Sequence, residues 1–165
     1  MTKLSANTQV PCWYQVPPGI QHLLLAAVAS WEDTYRSETF ILQAINHPEA
    51  TLDVLVSAYR YFFYKSNNAM ARRLAMQVME QIKFQKSLPD DWESLQVILR
   101  DQLSEPMIRL YLSAYTALGM MLARWGAFQA ALEISTRIQS IDSNDEFGAE
   151  LIQKILTSDA DETET

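Results

Sequence analysis

Leu52, Leu55, Val56, Tyr59, Phe62 and Phe63 recur at intervals of three and four residues, the spacing that places side chains on one face of an α-helix. A stripe this wide and apolar must be buried, so the helix that carries it requires a second apolar face. The same period returns elsewhere in the chain. Phe40, Ile41, Ala44 and Ile45 share one face, and Ala71, Leu74, Ala75, Val78, Met79 and Ile82 share another. No window alternates β-branched and polar residues between turn signals, so strands are not expected. The pattern predicts an all-α chain whose short connections fold successive helices into stacked antiparallel hairpins.

Breaker residues set the boundaries. Pro17-Pro18-Gly19 opens a helix over about 20–31, because proline in a first turn forfeits only a donor that has no partner there. Asp33 and Thr34 begin the next helix. It ends at Asn46-His47-Pro48, since a residue before proline is pushed out of the helical region. Helices are predicted over about 49–65 and, after the capping residues Ser66-Asn67-Asn68, over about 69–84. Ser87-Leu88-Pro89-Asp90 ends that helix and leads into a short one over 90–100. Ser104-Glu105-Pro106 starts a long helix over 106–124, Gly126 separates it from one over 128–140, and Ser143-Asn144 caps a last one over 145–156. The count is about seven to eight helices in a single domain over 17–157, with hairpins at about 20–45, 49–84 and 106–140. Residues 1–16 show no helical period and read as a flexible arm. Residues 158–165 carry Asp159, Asp161, Glu162 and Glu164 and read as a disordered acidic tail.

Composition narrows the function classes. With 165 residues, 48% of them hydrophobic and 20% charged, the chain is long enough to bury a core of its own. A net charge of -7 opposes binding to nucleic acid or to an anionic membrane through charge alone. The apolar run at 23–29 is far below the roughly twenty residues of a membrane span, so no membrane insertion is expected. Cys12 is the only cysteine, which excludes an intramolecular disulfide and points to a reducing, cytoplasmic location. Lys3 stands alone before Pro11, Pro17 and Pro18, which is not a signal-peptide pattern.

One stretch carries a repeat signature. Leu118-Gly119, Leu122, Gly126, Phe128 and Ala131-Leu132-Glu133, continuing to Ile141-Asp142, resemble the tetratricopeptide repeat family. That pattern asks for Leu-Gly in a first helix, Gly and an aromatic at the turn, and a small residue early in the second helix. Gly119 and Ala131 would let two helices approach closely, with Leu118, Leu122 and Phe128 filling the space around them. A poorer copy spans about 52–84, where Ala71 stands for Ala131, Phe62 for Leu122 and Ser66 for Gly126. A still weaker one reaches Pro48, with Arg36 where a small residue belongs. From Ala71 to Ala131 is 60 residues, not a multiple of a period of roughly 34, so a short and irregular stack is expected.

The resemblance implies a groove lined by the first helices of successive hairpins that receives a peptide or helix of another protein. Its lining would be Asp53, Val56, Arg60, Phe63 and Tyr64 in one hairpin and Ser113, Thr116, Met120, Ala123 and Arg124 in the other. Arg60 and Arg124 are either solvated or hold an acidic segment or terminal carboxylate. Small acidic tetratricopeptide chaperones of type III secretion are similar in size, charge and helical content. The implied role is an adaptor, assembly factor or secretion chaperone. A structural subunit or homo-oligomer is the alternative.

Catalytic and cofactor chemistry finds little material. His22 and His47 are the only histidines, no spaced Cys/His set or phosphate loop is present, and no metal or other cofactor is expected. A nucleophilic role for Cys12 would require one of those histidines beside it. Asp90, Asp91 and Glu93 read as charges at a helix N-terminus. Arg72-Arg73 is too small a basic patch for nucleic acid. The methionines at 70, 76, 79, 107, 120 and 121 read mainly as core filler. Of Tyr59, Tyr61, Phe62, Phe63 and Tyr64, five neighbours that cannot share one face, core packing claims Tyr59, Phe62 and part of Phe63. Tyr61 or Tyr64 is left to cover another element or a partner. A helical enzyme or ligand binder is thus the least supported class.

Overall fold

Eight α-helices and no strand lie among the described residues, 16–163, of a computed structural model. They are α1 (Pro18–Ala29), α2 (Thr34–Ile45), α3 (Leu52–Tyr64), α4 (Asn68–Lys86), α5 (Trp92–Asp101), α6 (Pro106–Arg124), α7 (Phe128–Ile141) and α8 (Glu150–Thr163). The arm read over 1–16 lies, apart from the buried Val16, outside the described residues. Where the sequence suggests one domain, the chain divides into two compact units, Met1–Leu74 and Ala75–Thr165. The division falls inside α4, whose 19 residues extend about 28 Å, long enough for its two ends to serve different cores.

In the first unit α1 packs on α2 and α2 on α3. Pro18 occupies the first turn of α1, and the Asp33 carboxylate caps α2 by accepting from Arg36 N at 3.1 Å, as a helix start of this composition should. The small residue at the heart of this packing is Ser37, fully buried, and not Arg36, which is exposed. Ser37, Ile41 and Ala44 lie four and three residues apart and form the buried face of α2.

The turn from α3 to α4 shows why Ser66 can stand for a glycine. Ser66 N donates to Phe63 O at 3.1 Å and Asn67 N to Phe62 O at 2.9 Å, the paired bonds of a left-handed C-terminal cap. Ser66 accordingly has φ of 62°. Gly126 makes the same motif after α6, with φ of 84° and bonds to Ala123 O and Leu122 O through its own and the next amide. Ser87 repeats it after α4. A side chain in this region costs about 1–2 kcal/mol, offset in part by the greater freedom glycine gives the unfolded chain. Ser66→Gly is therefore expected to stabilise the protein by about 0.5 kcal/mol, read as a small rise in urea midpoint at unchanged slope.

In the second unit α6 packs on α7 and α8, α7 on α8, and α5 on α7. Ala123, Ala131, Ile134, Ile138, Ala149 and Ile152 form its buried core, with Leu118, Met120 and Leu122 packed around it. Gly119 and Ala131 are both buried, as the repeat pattern implies. Phe128 departs from it. It is 44% exposed, because it is the first residue of α7 and helix side chains lean toward the N-terminus, here past the end of the packed surface. Arg137 links three helices of this unit: it pairs with Glu133 at 2.6 Å, donates to the Tyr115 hydroxyl at 3.2 Å, and lies 4.8 Å from the Trp92 ring.

The start of α8 is later than Ser143-Asn144 would place it, and its end later than position 156. The buried Asp142 carboxylate accepts from Glu146 N at 2.9 Å and Phe147 N at 2.8 Å. Asp145 and Gly148 have φ of 52° and 78°, which no helix accommodates. These residues hold 142–149 as an ordered connection, and Asp145 Oδ1 accepts from Glu150 N at the helix start.

Candidate functional site

On α3, Ser57, Arg60, Tyr61 and Tyr64 are spaced by three, one and three residues, so they share one face. On α1, Leu24, Val28 and Trp31 run along or just beyond a helix face with the same logic. With Ile41 of α2 these residues enclose a cleft of about 140 Å³ in the first unit. Leu24 and Ile41 form its buried part, whereas Val28 is 50% and Tyr64 62% exposed. The cleft is thus apolar at its base and open at its lip.

Tyr61 is buried and not outward-facing. Its ring meets Trp31 edge-on at 5.4 Å and Phe62 at 5.1 Å. The Ser37 hydroxyl lies 2.6 Å from the Tyr61 hydroxyl and 3.0 Å from Ala27 O. A carbonyl can only accept and Ser37 has one proton, so Tyr61 donates to Ser37 and Ser37 donates to Ala27. This chain ties α3 to α2 and α2 to the last turn of α1. Burial raises the Tyr61 phenol above its ordinary range, and the charge of Glu38 adds to the rise. The phenol remains a protonated donor near neutral pH.

The polar inventory of the cleft is short and one-signed. Ser57 Oγ is buried without a hydrogen-bond partner. Arg60 is half-buried, 6.0 Å from the Tyr59 ring, with no ion-pair partner among the described residues. Lys65 donates to Trp31 O and lies 4.4 Å from the Trp31 ring. Glu38, whose charge acts on Tyr61, accepts from the Asn67 amide at 3.1 Å. A guanidinium with no ion-pair partner among the described residues and a second cation at the Trp31 ring favour an anion.

The groove positions named from the sequence separate here. Arg60 and Tyr64 line the cleft, Asp53 and Phe63 are half-buried elsewhere on α3, and Val56 is fully buried and part of the core. In the second unit Ser113 and Met120 are half-buried and Arg124 is exposed, while Thr116 and Ala123 are interior. Thr116 spends its hydroxyl on Leu112 O at 2.8 Å. Val56, Thr116 and Ala123 are thus unavailable to a partner, since a spacing fixes a face but not what covers it.

Asp53 carries a consequence of its own. Its place in the first turn of α3 favours the carboxylate, yet burial wins and raises its pKa. The folded chain then holds this proton more tightly than the unfolded one, so Asp53 costs stability at neutral pH and the cost fades as pH falls below the ordinary carboxylate range. Asp53→Asn is expected to raise the thermal midpoint at pH 7 and to leave it unchanged near pH 3.

Asp91 caps α5 through Ser94 N at 2.9 Å, and its pKa is lowered by the Ser94 side chain and backbone. Asp90 pairs with Lys83. Helix-end electrostatics accounts for both acids. Among the described residues no group of three or more His, Cys, Asp and Glu is placed to hold a metal ion, and no helix is long and apolar enough to cross a membrane. Cys12 lies outside the described residues.

Known proteins add a distant likeness. An "Uncharacterized 19.8 kDa protein in nifW 5'region" of Azotobacter chroococcum mcd 1 is 25% identical over 108 residues, 64% of this chain. The chain matches 60% of that relative's length. No protein-family model matches the chain, and no solved structure does. The relative's description names no activity or partner.

Proposed function

We propose that this chain is a non-catalytic interaction module of tetratricopeptide-like helix hairpins, an adaptor, assembly factor or secretion chaperone that holds a segment of another protein. The observation that carries this reading is the cleft of α1 and α3, apolar within, open at Val28 and Tyr64, and edged by Arg60. Apolar and aromatic walls with few fixed polar groups suit a partner's side chain better than they suit proton transfer, which needs converging titratable groups. Affinity capture from the source cell with wild-type protein, Arg60→Glu and Arg124→Glu tests it. Arg60→Glu is expected to lower recovery of the partner by about tenfold, the scale of one charge-assisted hydrogen bond. Arg124→Glu, which does not line the cleft, should leave recovery near the wild-type level. Equal recovery by Arg60→Glu and wild type contradicts the cleft as the binding site.

A second reading, a structural subunit or homo-oligomer, is favoured by the half-exposed Trp125, Phe128 and Leu132 around the α6 to α7 turn. Light scattering across a hundredfold concentration range separates the two. A monomer throughout argues against self-association.

A further inference from the structure

We propose that the segment held by the α1 and α3 cleft is anchored by a single aromatic or branched aliphatic side chain seated against Leu24, Val28, Trp31 and Tyr61, with a neighbouring acidic residue paired to Arg60. This rests on the partner-binding reading above and names the chemistry of the partner.

Size sets the first limit. A cleft of about 140 Å³ is close to the roughly 150 Å³ apolar cavity that accepts benzene, and well below the roughly 300 Å³ at which drug-sized pockets begin. One ring or one leucine-sized group fits, and a nucleotide or the whole face of a helix does not. The walls set the second limit. Trp31 and Tyr61 already meet edge-on at an interplanar angle of 80°, so a third ring can continue the same edge-to-face arrangement. Leu24 and Ile41 give the base no polar group.

The polar groups fix what lies beside the anchor. Ser57 belongs to the wall, with its Oγ buried behind it and without a hydrogen-bond partner among the described residues, so it offers no charge to compete with Arg60. Arg60 stands one turn beyond Ser57 on α3 and Tyr64 one turn beyond that, which orders this wall from its buried end through the cation to the exposed lip. Lys65, held on the Trp31 carbonyl and ring, adds positive charge near the Trp31 side. Glu38, the acid whose charge reaches Tyr61, is engaged by Asn67. In a chain of net charge -7, Arg60 in the wall of this apolar cleft and Lys65 on the Trp31 ring select for an acid next to the anchor.

The test is a titration of the full-length, isotope-labelled protein, followed by NMR at the Trp31 indole N–H, with that signal assigned from Trp31→Phe. Three blocked dipeptides serve as probes: N-acetyl-Phe-Asp-amide, N-acetyl-Phe-Asn-amide and N-acetyl-Ala-Asp-amide. The Phe-Asp probe is expected to shift the Trp31 signal saturably, the Phe-Asn probe to bind about tenfold more weakly, and the Ala-Asp probe not to saturate over the same range. Arg60→Gln should erase the difference between the Asp and Asn probes. Ser57→Leu, which fills the wall, should block both Phe probes while circular dichroism shows an unchanged helix content. No saturable shift at Trp31, or equal affinity for Phe-Asp and Phe-Asn in the wild type, overturns the proposal. If the probes fail while Arg60-dependent capture of a partner persists, the anchor is wrong and partner binding at the cleft stands. If capture is also indifferent to Arg60, both fall.

Discussion

Gly119→Val is expected to destabilise the second unit by about 3 kcal/mol or more, the upper range for overpacking a closed core. A Cβ placed on Gly119 would lie 2.6 Å from Ile152 Cδ1 and 2.9 Å from Ile134 Cγ2, so α7 and α8 both press on this position of α6. The two contacts are not equivalent. Ile152 Cδ1 is the far end of a flexible side chain and can swing away. Ile134 Cγ2 is fixed to a β-branched carbon that has one favoured rotamer in a helix, so the clash there requires a backbone shift. Any gain in helix propensity over glycine, about 0.5 kcal/mol for a β-branched residue, is small against this. For a unit of this size the loss corresponds to a fall in midpoint on the order of 15 °C. Combining Gly119→Ala with Ile134→Ala in a double-mutant cycle should give a favourable coupling, because the second change removes the fixed methyl group. Additive costs would show that the close approach does not set the energetics.

Ser37→Ala is expected to cost more than Tyr61→Phe, although both break the same 2.6 Å contact. Removing the Ser37 hydroxyl strands the buried Tyr61 hydroxyl and leaves the Ala27 carbonyl only the longer contact to Ser30 Oγ at 3.4 Å, whose single proton is shared with Ala26 O at 2.8 Å. The carbonyl belongs to the last turn of α1, where Trp31 N bonds to Val28 O instead, so it depends on side-chain hydroxyls. A stranded group costs about 1–3 kcal/mol, and with the weakened Ala27 carbonyl added Ser37→Ala is expected to cost about 2–4 kcal/mol. Tyr61→Phe leaves Ser37 free to donate to Ala27 and should cost only about 1 kcal/mol. Urea unfolding of the three variants, the double included, checks the order. Equal losses for the two single variants would contradict the donor direction assigned here.

The helix count and most boundaries were legible because breaker residues act locally. Proline fixes φ and lacks a donor wherever it sits, and Asp33 and Asp91 cap the helices they precede. The 142–149 connection was not, since the pull of the Asp142 carboxylate on two amides depends on a buried position that local spacing does not reveal. Ser37 was readable in retrospect from its period with Ile41 and Ala44. The cleft was half legible. Arg60 and Tyr64 were named through what the tetratricopeptide resemblance implies, but the run at 23–29 is apolar all round, so nothing in it marks Leu24 and Val28 as the residues that face the cleft. The aromatic run leaves Tyr61 or Tyr64 to cover another element or a partner, and it is Tyr61 that covers α2 and Trp31, a choice that depends on Ser37, 24 residues away.

Site-specific photocrosslinking tests the cleft as a partner site most directly. A benzoylphenylalanine in place of Val28 or Tyr64, at the lip of the cleft, is expected to give the same protein adduct in the source cell. Arg60→Glu should abolish it, and the same group in place of Phe84, 87% exposed but outside the cleft, should not form it. No common adduct from positions 28 and 64, or an adduct that survives Arg60→Glu undiminished, would contradict the account.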